Sequence, residues 1–164
     1  MKLSLPQSLT ISYFAYGSNL SKSILSRRTL SSGPFASTEI PPPKRVRVFG
    51  HKTVFNLGVP GSSVASLEES SSNDSEGLVW SLNARQWALL CASEGAGLAY
   101  NVKQVEGENI DDENERVLAY TFTSGRGTEN IPTSRRYYDI LMDGAREWDL
   151  KELERYLEDE VEVG

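Results

Sequence analysis

The sequence contains very little histidine and cysteine, and this shortage excludes several chemistries. Among 164 residues, His51 is the only histidine and Cys91 the only cysteine. Structural zinc sites take their ligands mainly from these two residue types, so the chain cannot assemble one. A lone cysteine also cannot form an intramolecular disulfide, which disfavours a secreted, disulfide-stabilised fold. A site built from carboxylates alone stays open, but no motif supports one, and we predict no metal.

Positive charge and long apolar runs are scarce as well. Asp and Glu number 23 against 17 Lys and Arg, which gives a formal net charge of −6. Such a chain is poorly suited to general binding of a phosphate backbone, so nucleic acid is not an expected partner. No apolar run suggests a membrane span, and the first residues, MKLSLPQSL, make a poor secretory signal. We predict a cytoplasmic protein with no membrane partner, while its oligomeric state stays open.

Two familiar active-site motifs are missing. No G-x-S-x-G sequence is present to place a serine nucleophile, and a Ser18–His51 pair is a weaker hypothesis than a histidine satisfied within a strand. Gly125 and Gly127 form a G-x-G triplet without the third glycine of a dinucleotide-binding fingerprint, so we interpret them as a turn. The sequence therefore predicts no cofactor.

The composition is that of an ordinary folded domain. Hydrophobic residues make up 38% of the chain and charged residues 24%, and 164 residues are enough to bury a core. We expect residues 1–164 to form a single domain, without internal repeats.

The most informative stretch is Ile11–Leu20, with the sequence ISYFAYGSNL. Its first residues favour a short buried strand, whereas Gly17, Ser18 and Asn19 favour a tight turn directly after it. Such a turn can direct successive backbone N–H groups at one point and so bind an anion or a developing oxyanion. The alternative interpretation is an ordinary turn at the end of a strand.

The remaining hydrophobic pattern predicts short strands and interspersed helices. Strands are predicted on both sides of a turn at Gly50–Lys52 and at Val64–Leu67, Gly77–Leu82, Tyr100–Val105 and Arg116–Phe122. Helices are predicted at Ser21–Leu30, Ser134–Arg146 and Leu150–Glu162. Loops are predicted at Ser31–Pro43, at the mobile segment Glu68–Ser75 and at the acidic segment Glu106–Glu115.

A further helix is predicted within Asn83–Gly97, and it carries a candidate proton carrier. Asn83 is a suitable N-cap, and Gly95 would end the helix. Glu94 then lies in the last turn. It is either an exposed helix-terminal carboxylate or, if partly buried, a general acid and base.

Several separated segments resemble the γ-glutamylcyclotransferases. The stronger ones are FAYGSNL at Phe14–Leu20, the pair Glu94–Gly95 followed by Tyr100, and YYDILMDGA at Tyr137–Ala145. Weaker agreement is found at Gly61–Leu67 and Glu76–Trp80, so the resemblance spans nearly the whole chain. One departure is Cys91, because many members carry an acidic residue at that position.

The resemblance implies an α+β fold, a small mixed β-barrel flanked by helices. It implies an enzyme of glutathione-related metabolism that cyclises a γ-glutamyl-amino acid, releasing 5-oxoproline and a free amino acid without metal or cofactor. Glu94 would be the general acid and base. The substrate would be bound by Tyr16, Gly17, Ser18, Asn19, Leu20, Tyr100 and Tyr137, with Tyr138 as a competitor for the last position. Two alternatives stay open: a γ-glutamylamine cyclotransferase, and a non-catalytic small-ligand binding module on the same fold.

Overall fold

The computed structural model describes residues 9–30, 39–95 and 99–164. These residues form a strongly curved sheet of five strands with four α-helices around it. The strands are β1 (Thr10–Ala15), β2 (Lys44–Leu57), β3 (Val64–Asn83), β4 (Asn101–Asn109) and β5 (Asp112–Thr123). The α-helices are α1 (Lys22–Arg28), α2 (Ala84–Ser93), α3 (Arg135–Glu147) and α4 (Lys151–Glu160). A single 3₁₀ turn, Ser18–Leu20, lies between β1 and α1.

The strand order makes the sheet mixed and closes it on itself. Neighbours follow the order β1-β3-β2-β4-β5, and every pair along this order is antiparallel. The two edge strands, β1 and β5, then meet in parallel through the single pair Tyr13 and Tyr120. The predicted α+β class, with a small mixed barrel and flanking helices, is therefore confirmed, and the barrel closes through a short contact.

One apolar cluster draws buried side chains from every strand and every α-helix. Trp80 of β3 and Phe14 of β1 are completely buried at its centre, and Leu141 of α3 packs with them in the same cluster. Burial of each such side chain contributes about 1.5–3 kcal/mol to folding. The end of β1, where the polar turn begins, is thus anchored in the apolar core.

Two predicted strands are one continuous strand in the structure. The expected turn at Gly50–Lys52 is instead an irregularity within β2, where the register to β3 shifts between Phe49 and His51. Gly50 has a φ of 66° there, a conformation that glycine adopts without steric cost. The sequence signal for a turn was real, but its physical basis is a β-bulge that bends a long strand.

Two predicted loops are also strands. The polar segment Glu68–Ser75 belongs to β3, where it pairs with β2 and contains the buried Glu68. The acidic segment Glu106–Glu115 forms the turn end of the hairpin between β4 and β5, with Gly107 and Asn109 buried on one side. Both predictions were wrong because cross-strand pairing satisfies the backbone even where most side chains are polar and exposed.

The helix predictions are confirmed, with small shifts at their ends. Asn83 caps α2 in a capping box with Gln86, and Ser134 caps α3. Leu150 precedes α4 rather than opening it, and that helix ends at Glu160. No helix in the three described ranges is long and apolar enough to cross a membrane.

Some predictions concern residues outside the described ranges. These are the assessment of residues 1–8 as a poor signal, residues 31–38 of the predicted Ser31–Pro43 loop, and Gly97 at the end of the predicted helical stretch.

Candidate active site

The turn after β1 is held from several sides. Leu20 N–H donates to the Gly17 carbonyl at 3.0 Å, which closes the 3₁₀ turn. The indole N–H of Trp80 donates to the Asn19 carbonyl at 3.0 Å, and that of Trp148 donates to the Leu20 carbonyl at 3.1 Å. Two large anchored side chains therefore fix the carbonyls of the turn. Its backbone geometry is preorganised rather than adaptable.

Gly17 permits a close approach between this turn and α3. A Cβ atom at residue 17 would lie 3.0 Å from the Tyr137 hydroxyl oxygen, closer than carbon and oxygen ordinarily pack. Tyr137 itself is fixed at this place because its hydroxyl accepts a hydrogen bond from Ala65 N–H at 3.0 Å. A glycine is therefore needed for the turn and the phenol to face the same space.

Glu94 lies at the C-terminal end of α2, with its carboxylate turned toward the turn. Its side chain is only 17% exposed, which argues against the interpretation as an exposed terminal carboxylate. The Asn19 side-chain amide donates to Glu94 Oε1 at 3.0 Å, and Arg28 Nη1 donates to the same oxygen at 3.1 Å. No described residue donates to Oε2, so the described donors hold only one oxygen of the carboxylate.

Asn19 and Arg28 form a small network around that carboxylate. Arg28 Nη1 also donates to Asn19 Oδ1 at 2.7 Å and to the Ser18 hydroxyl at 2.9 Å. The Asn19 amide donates to the Tyr13 hydroxyl at 2.9 Å. Because Asn19 is buried, with every side-chain polar atom bonded, it cannot swing away from Glu94. The network orients the glutamate toward the turn.

These groups enclose a small space that we call the inner cavity, with a volume of about 30 Å³. It is lined by Tyr13, Tyr16, Gly17, Ser18, Asn19, Ala65, Glu94, Tyr100, Phe122 and Tyr137. A larger space of about 710 Å³, which we call the outer cleft, shares Ser18 and Tyr137 with it. Because the inner cavity is much smaller than the outer cleft and borders it, a ligand too long for the inner cavity extends into the outer cleft.

Four tyrosines line the inner cavity, and burial raises the pKa of each phenol. Burial is the largest cause in each case, and it raises the pKa of Tyr137 to about 12 and also raises the pKa values of Tyr13, Tyr16 and Tyr100. All four phenols are therefore protonated near neutral pH. They can donate and accept hydrogen bonds but cannot act as bases. Glu94 is the one carboxylic acid among the residues that line this cavity.

The four phenols differ in whether their O–H groups already donate a hydrogen bond within the protein. Tyr16 donates to the Phe122 carbonyl at 2.5 Å, and Tyr100 donates to the Ala65 carbonyl at 2.9 Å, so their protons are used. Tyr13 and Tyr137 accept hydrogen bonds, and their own O–H groups have no described acceptor. Tyr137 is thus the phenol at the junction of the two spaces that retains a proton to donate.

The structure brings together every predicted site residue except Leu20. The Leu20 side chain is fully buried against Gly144, where a Cβ at residue 144 would lie 2.8 Å from the Cβ of Leu20. Its N–H group is also committed to the Gly17 carbonyl. The N–H groups of Gly17, Ser18 and Asn19 donate to no described acceptor, so they are the amides of the turn that are available to a ligand.

The geometry also decides two questions that the sequence left open. Tyr137 lines the cavity, whereas the Tyr138 hydroxyl donates to the Leu157 carbonyl of α4 at 3.2 Å. His51 does not line the inner cavity with Ser18, because its ring nitrogens contact the Phe49 carbonyl at 2.7 Å and Lys103 Nζ at 3.0 Å. His51 is a satisfied histidine in a strand, as the sequence favoured.

Sequence reasoning did not identify Tyr13 or Arg28 as site residues. Tyr13 lies in the strand predicted at the start of Ile11–Leu20, and Arg28 lies in the predicted helix Ser21–Leu30. The available signal was proximity in sequence, because α1 begins one residue after the 3₁₀ turn and is only seven residues long. An arginine in its last turn is thus within reach of the turn. No group of three or more His, Cys, Asp or Glu residues able to hold a metal ion is found in the described ranges.

Known proteins resemble this chain in both sequence and structure. The chain is 28% identical to the γ-glutamyl cyclotransferase aclK of Aspergillus oryzae (strain ATCC 42149 / RIB 40) over an aligned length of 159 residues, and the match covers 82% of this chain and 55% of that protein. The chain thus spans about half the length of this curated relative. No protein-family model matches the sequence.

Two solved structures share the fold over almost the whole chain. A structure described as a γ-glutamyl cyclotransferase superimposes with a TM-score of 0.72 and 23% identity, covering 94% of this chain and 89% of the other. The uncharacterized protein loc79017 from Homo sapiens gives a TM-score of 0.75 at the same identity and coverage. The fold is therefore that of these proteins, and the resemblance to γ-glutamyl cyclotransferases read from the sequence is confirmed.

Proposed function

We propose that this chain is a γ-glutamylcyclotransferase that releases 5-oxoproline and a free amino acid from γ-glutamyl-amino acids, and that residues 1–164 act as one domain. The observation that carries the proposal is the placement of Glu94. It is a largely shielded carboxylate, held at one oxygen by Asn19 and Arg28, beside a rigid turn with available amides. The similarity to the Aspergillus oryzae γ-glutamyl cyclotransferase supports the same reaction class.

The proposed reaction joins two groups of a single substrate. Glu94 Oε2 takes a proton from the α-ammonium of the γ-glutamyl group, and the freed amine attacks the γ-carbonyl carbon. As the bond from that carbon to the leaving nitrogen breaks, Glu94 returns this proton to the leaving nitrogen. The ring nitrogen still carries two protons, and it passes one of them through Glu94 to the released amine, which departs as an ammonium ion. The new carbon–nitrogen bond closes the five-membered lactam. Water is neither added nor released, so binding in a folded-back conformation supplies much of the acceleration.

The turn supplies the electrostatic part of this mechanism. The amides of Gly17, Ser18 and Asn19 are available to bind an anion, which is either the glutamyl α-carboxylate or the oxyanion formed during attack. Because the carbonyls of the turn are anchored by two indoles, these donors need little reorganisation when charge develops. Leu20 contributes the anchoring of the turn rather than a substrate contact.

The tyrosines shape the cavity and add one candidate donor. Tyr16 and Tyr100 are bound to backbone carbonyls, so we assign them to the walls that orient the substrate. Tyr137 retains its O–H and borders both the inner cavity and the outer cleft. We assign it a hydrogen bond to the substrate near the scissile bond.

Two other functions are compatible with the fold and are separated by experiment. Purified protein is incubated with γ-glutamyl-alanine, γ-glutamyl-lysine and glutathione, and 5-oxoproline is measured, with and without a strong chelator. We expect 5-oxoproline from γ-glutamyl-alanine and no effect of the chelator. Preferential turnover of γ-glutamyl-lysine through its side-chain amine would favour a γ-glutamylamine cyclotransferase. Binding without any 5-oxoproline would favour a non-catalytic binding module and contradict our proposal.

A further inference from the structure

The outer cleft has a charge opposite to that of the protein as a whole. Three arginines line it, Arg27 and Arg28 from α1 and Arg136 from α3, and none of its lining residues is acidic. The chain has a formal net charge of −6. Since Arg28 is paired with Glu94, the other two arginines leave a local excess of positive charge, which concentrates anions at that place.

Two of these arginines are not neutralised by protein partners. Arg28 is engaged with Glu94, but Arg27 and Arg136 form no hydrogen bond or ion pair with any described residue. The neighbouring Arg135 behaves differently, since it lies 3.7 Å from Asp139 in an ion pair and is absent from the cleft. Two of the three guanidinium groups that line the cleft are therefore left to pair with a ligand.

The rest of the wall suits a small amphipathic ligand. Five serines and the apolar residues Ile24, Val64 and Ile140 share the lining with the arginines. The cleft is about 710 Å³, whereas the inner cavity is about 30 Å³, and Ser18 and Tyr137 border both. A substrate whose γ-glutamyl group reaches Glu94 must therefore leave its other half in the outer cleft.

We propose that the outer cleft binds the leaving group of the substrate and that Arg27 and Arg136 recognise a carboxylate on it. This inference rests on the proposed function and extends it to substrate choice. Guanidinium groups pair well with carboxylates through parallel hydrogen bonds. The cleft thus selects γ-glutamyl compounds that release an amino acid or a peptide with a free carboxylate, and it disfavours those that release an uncharged or cationic amine.

The test uses two substrates that differ only in this charge, γ-glutamyl-alanine and γ-glutamyl-alaninamide. For the wild-type protein we expect kcat/KM to be on the order of tenfold higher for the acid than for the amide, the scale of one charged hydrogen bond. Added salt should reduce this ratio, because both arginines are solvent-exposed. The double variant Arg27→Gln, Arg136→Gln should bring the ratio close to one, mainly through a higher KM for the acid, with a much smaller change in kcat/KM for the amide.

Arg135→Gln is the matched control, since it removes one arginine from the same helix outside the cleft, and it should leave the ratio at its wild-type value. Equal wild-type rates on the two substrates would overturn the inference while the proposed function stands. An equal fall of both rates in the double variant would do the same, because it would show a general role for the arginines. Absence of 5-oxoproline from both wild-type reactions would instead overturn the proposed function, and the inference with it.

Discussion

Glu68 and Glu94 are both shielded carboxylates, but they are surrounded by different kinds of group. Glu68 in β3 is 6% exposed, and the side chain of Glu94 is 17% exposed. Glu68 Oε1 accepts five hydrogen bonds from uncharged donors, namely Asn56, Ser66, the Ser124 hydroxyl and the N–H groups of Ser124 and Gly125. Glu94 Oε1 accepts two, one of them from the cationic Arg28.

We therefore infer different roles for the two carboxylates. At Glu68 the donors come from β2, β3 and the segment after β5, so the carboxylate ties three parts of the chain together. Neither Oε2 accepts a bond from a described residue, so an open oxygen alone does not indicate a catalytic group. What distinguishes Glu94 is its neighbours, a turn with available amides and phenols that retain their protons. Local chemistry around a buried acid, rather than burial, points to function.

The largest effect is expected on the reaction rate when Glu94 is replaced. Glutamine has nearly the same shape as glutamate, so Glu94→Gln should keep the fold and much of the substrate binding, but it cannot carry a proton. Loss of a positioned general base typically costs about 10²–10⁴-fold in rate, so kcat should fall by that order with little change in KM. Steady-state kinetics of 5-oxoproline release measure this.

Glu68→Gln is the matched control in the same assay and should leave kcat within about threefold of the wild-type value, because Glu68 is absent from the inner cavity. Near wild-type turnover by folded Glu94→Gln would remove Glu94 from the mechanism and most of the case for a cyclotransferase.

The second-largest effect is a loss of stability, and it is expected when Glu68 is replaced. Replacing the carboxylate by an amide weakens the five hydrogen bonds that it accepts. The amide NH₂ group is itself a donor and would lie close to the groups that donate to Glu68. We expect Glu68→Gln to lower the free energy of unfolding by about 1–2 kcal/mol. Urea denaturation at pH 7 measures the loss. Glu69→Gln is the control, since its carboxylate is exposed and pairs only with Lys103, so its effect should be well below that of Glu68→Gln.

The contribution of Glu68 to the free energy of unfolding should depend on pH. Burial on its own would raise the pKa of Glu68, but hydrogen bonds from Ser124, Asn56 and Ser66 outweigh it and lower the pKa from its ordinary value of 4.5. A carboxyl group with a lowered pKa in the folded state stabilises the protein above its unfolded pKa, and this contribution is lost as the pH falls through the folded value. The difference in unfolding free energy between wild type and Glu68→Gln should therefore shrink below pH 4.5. A difference that stays constant from pH 7 to pH 3 would contradict this assignment.

These cases also show what the sequence could predict. The strand and turn at Ile11–Leu20 and the Asn83-capped helix follow from local preferences, because turn residues and an N-cap act within a few positions. The role of Glu68 could not be predicted, since its donors come from residues up to 57 positions away and its segment looks like a polar loop. Similarly, Glu94 contacts Asn19, which lies 75 positions away in the sequence. Only the family resemblance predicted that these two residues belong to one site.

The smallest expected effect tests whether Cys91, one helical turn before Glu94, supports its chemistry. Burial, followed by the charge of Glu94, raises the pKa of the Cys91 thiol, so the thiol stays protonated near neutral pH and is a poor nucleophile. It packs against the apolar cluster as a small hydrophobic side chain. Cys91→Ser should therefore cost about 0.5–1 kcal/mol of stability and leave kcat close to the wild-type value. Complete inactivation on alkylation of the native thiol, with the circular dichroism spectrum unchanged and Cys91→Ser itself impaired in kcat, would show that Cys91 acts on Glu94 rather than on packing alone.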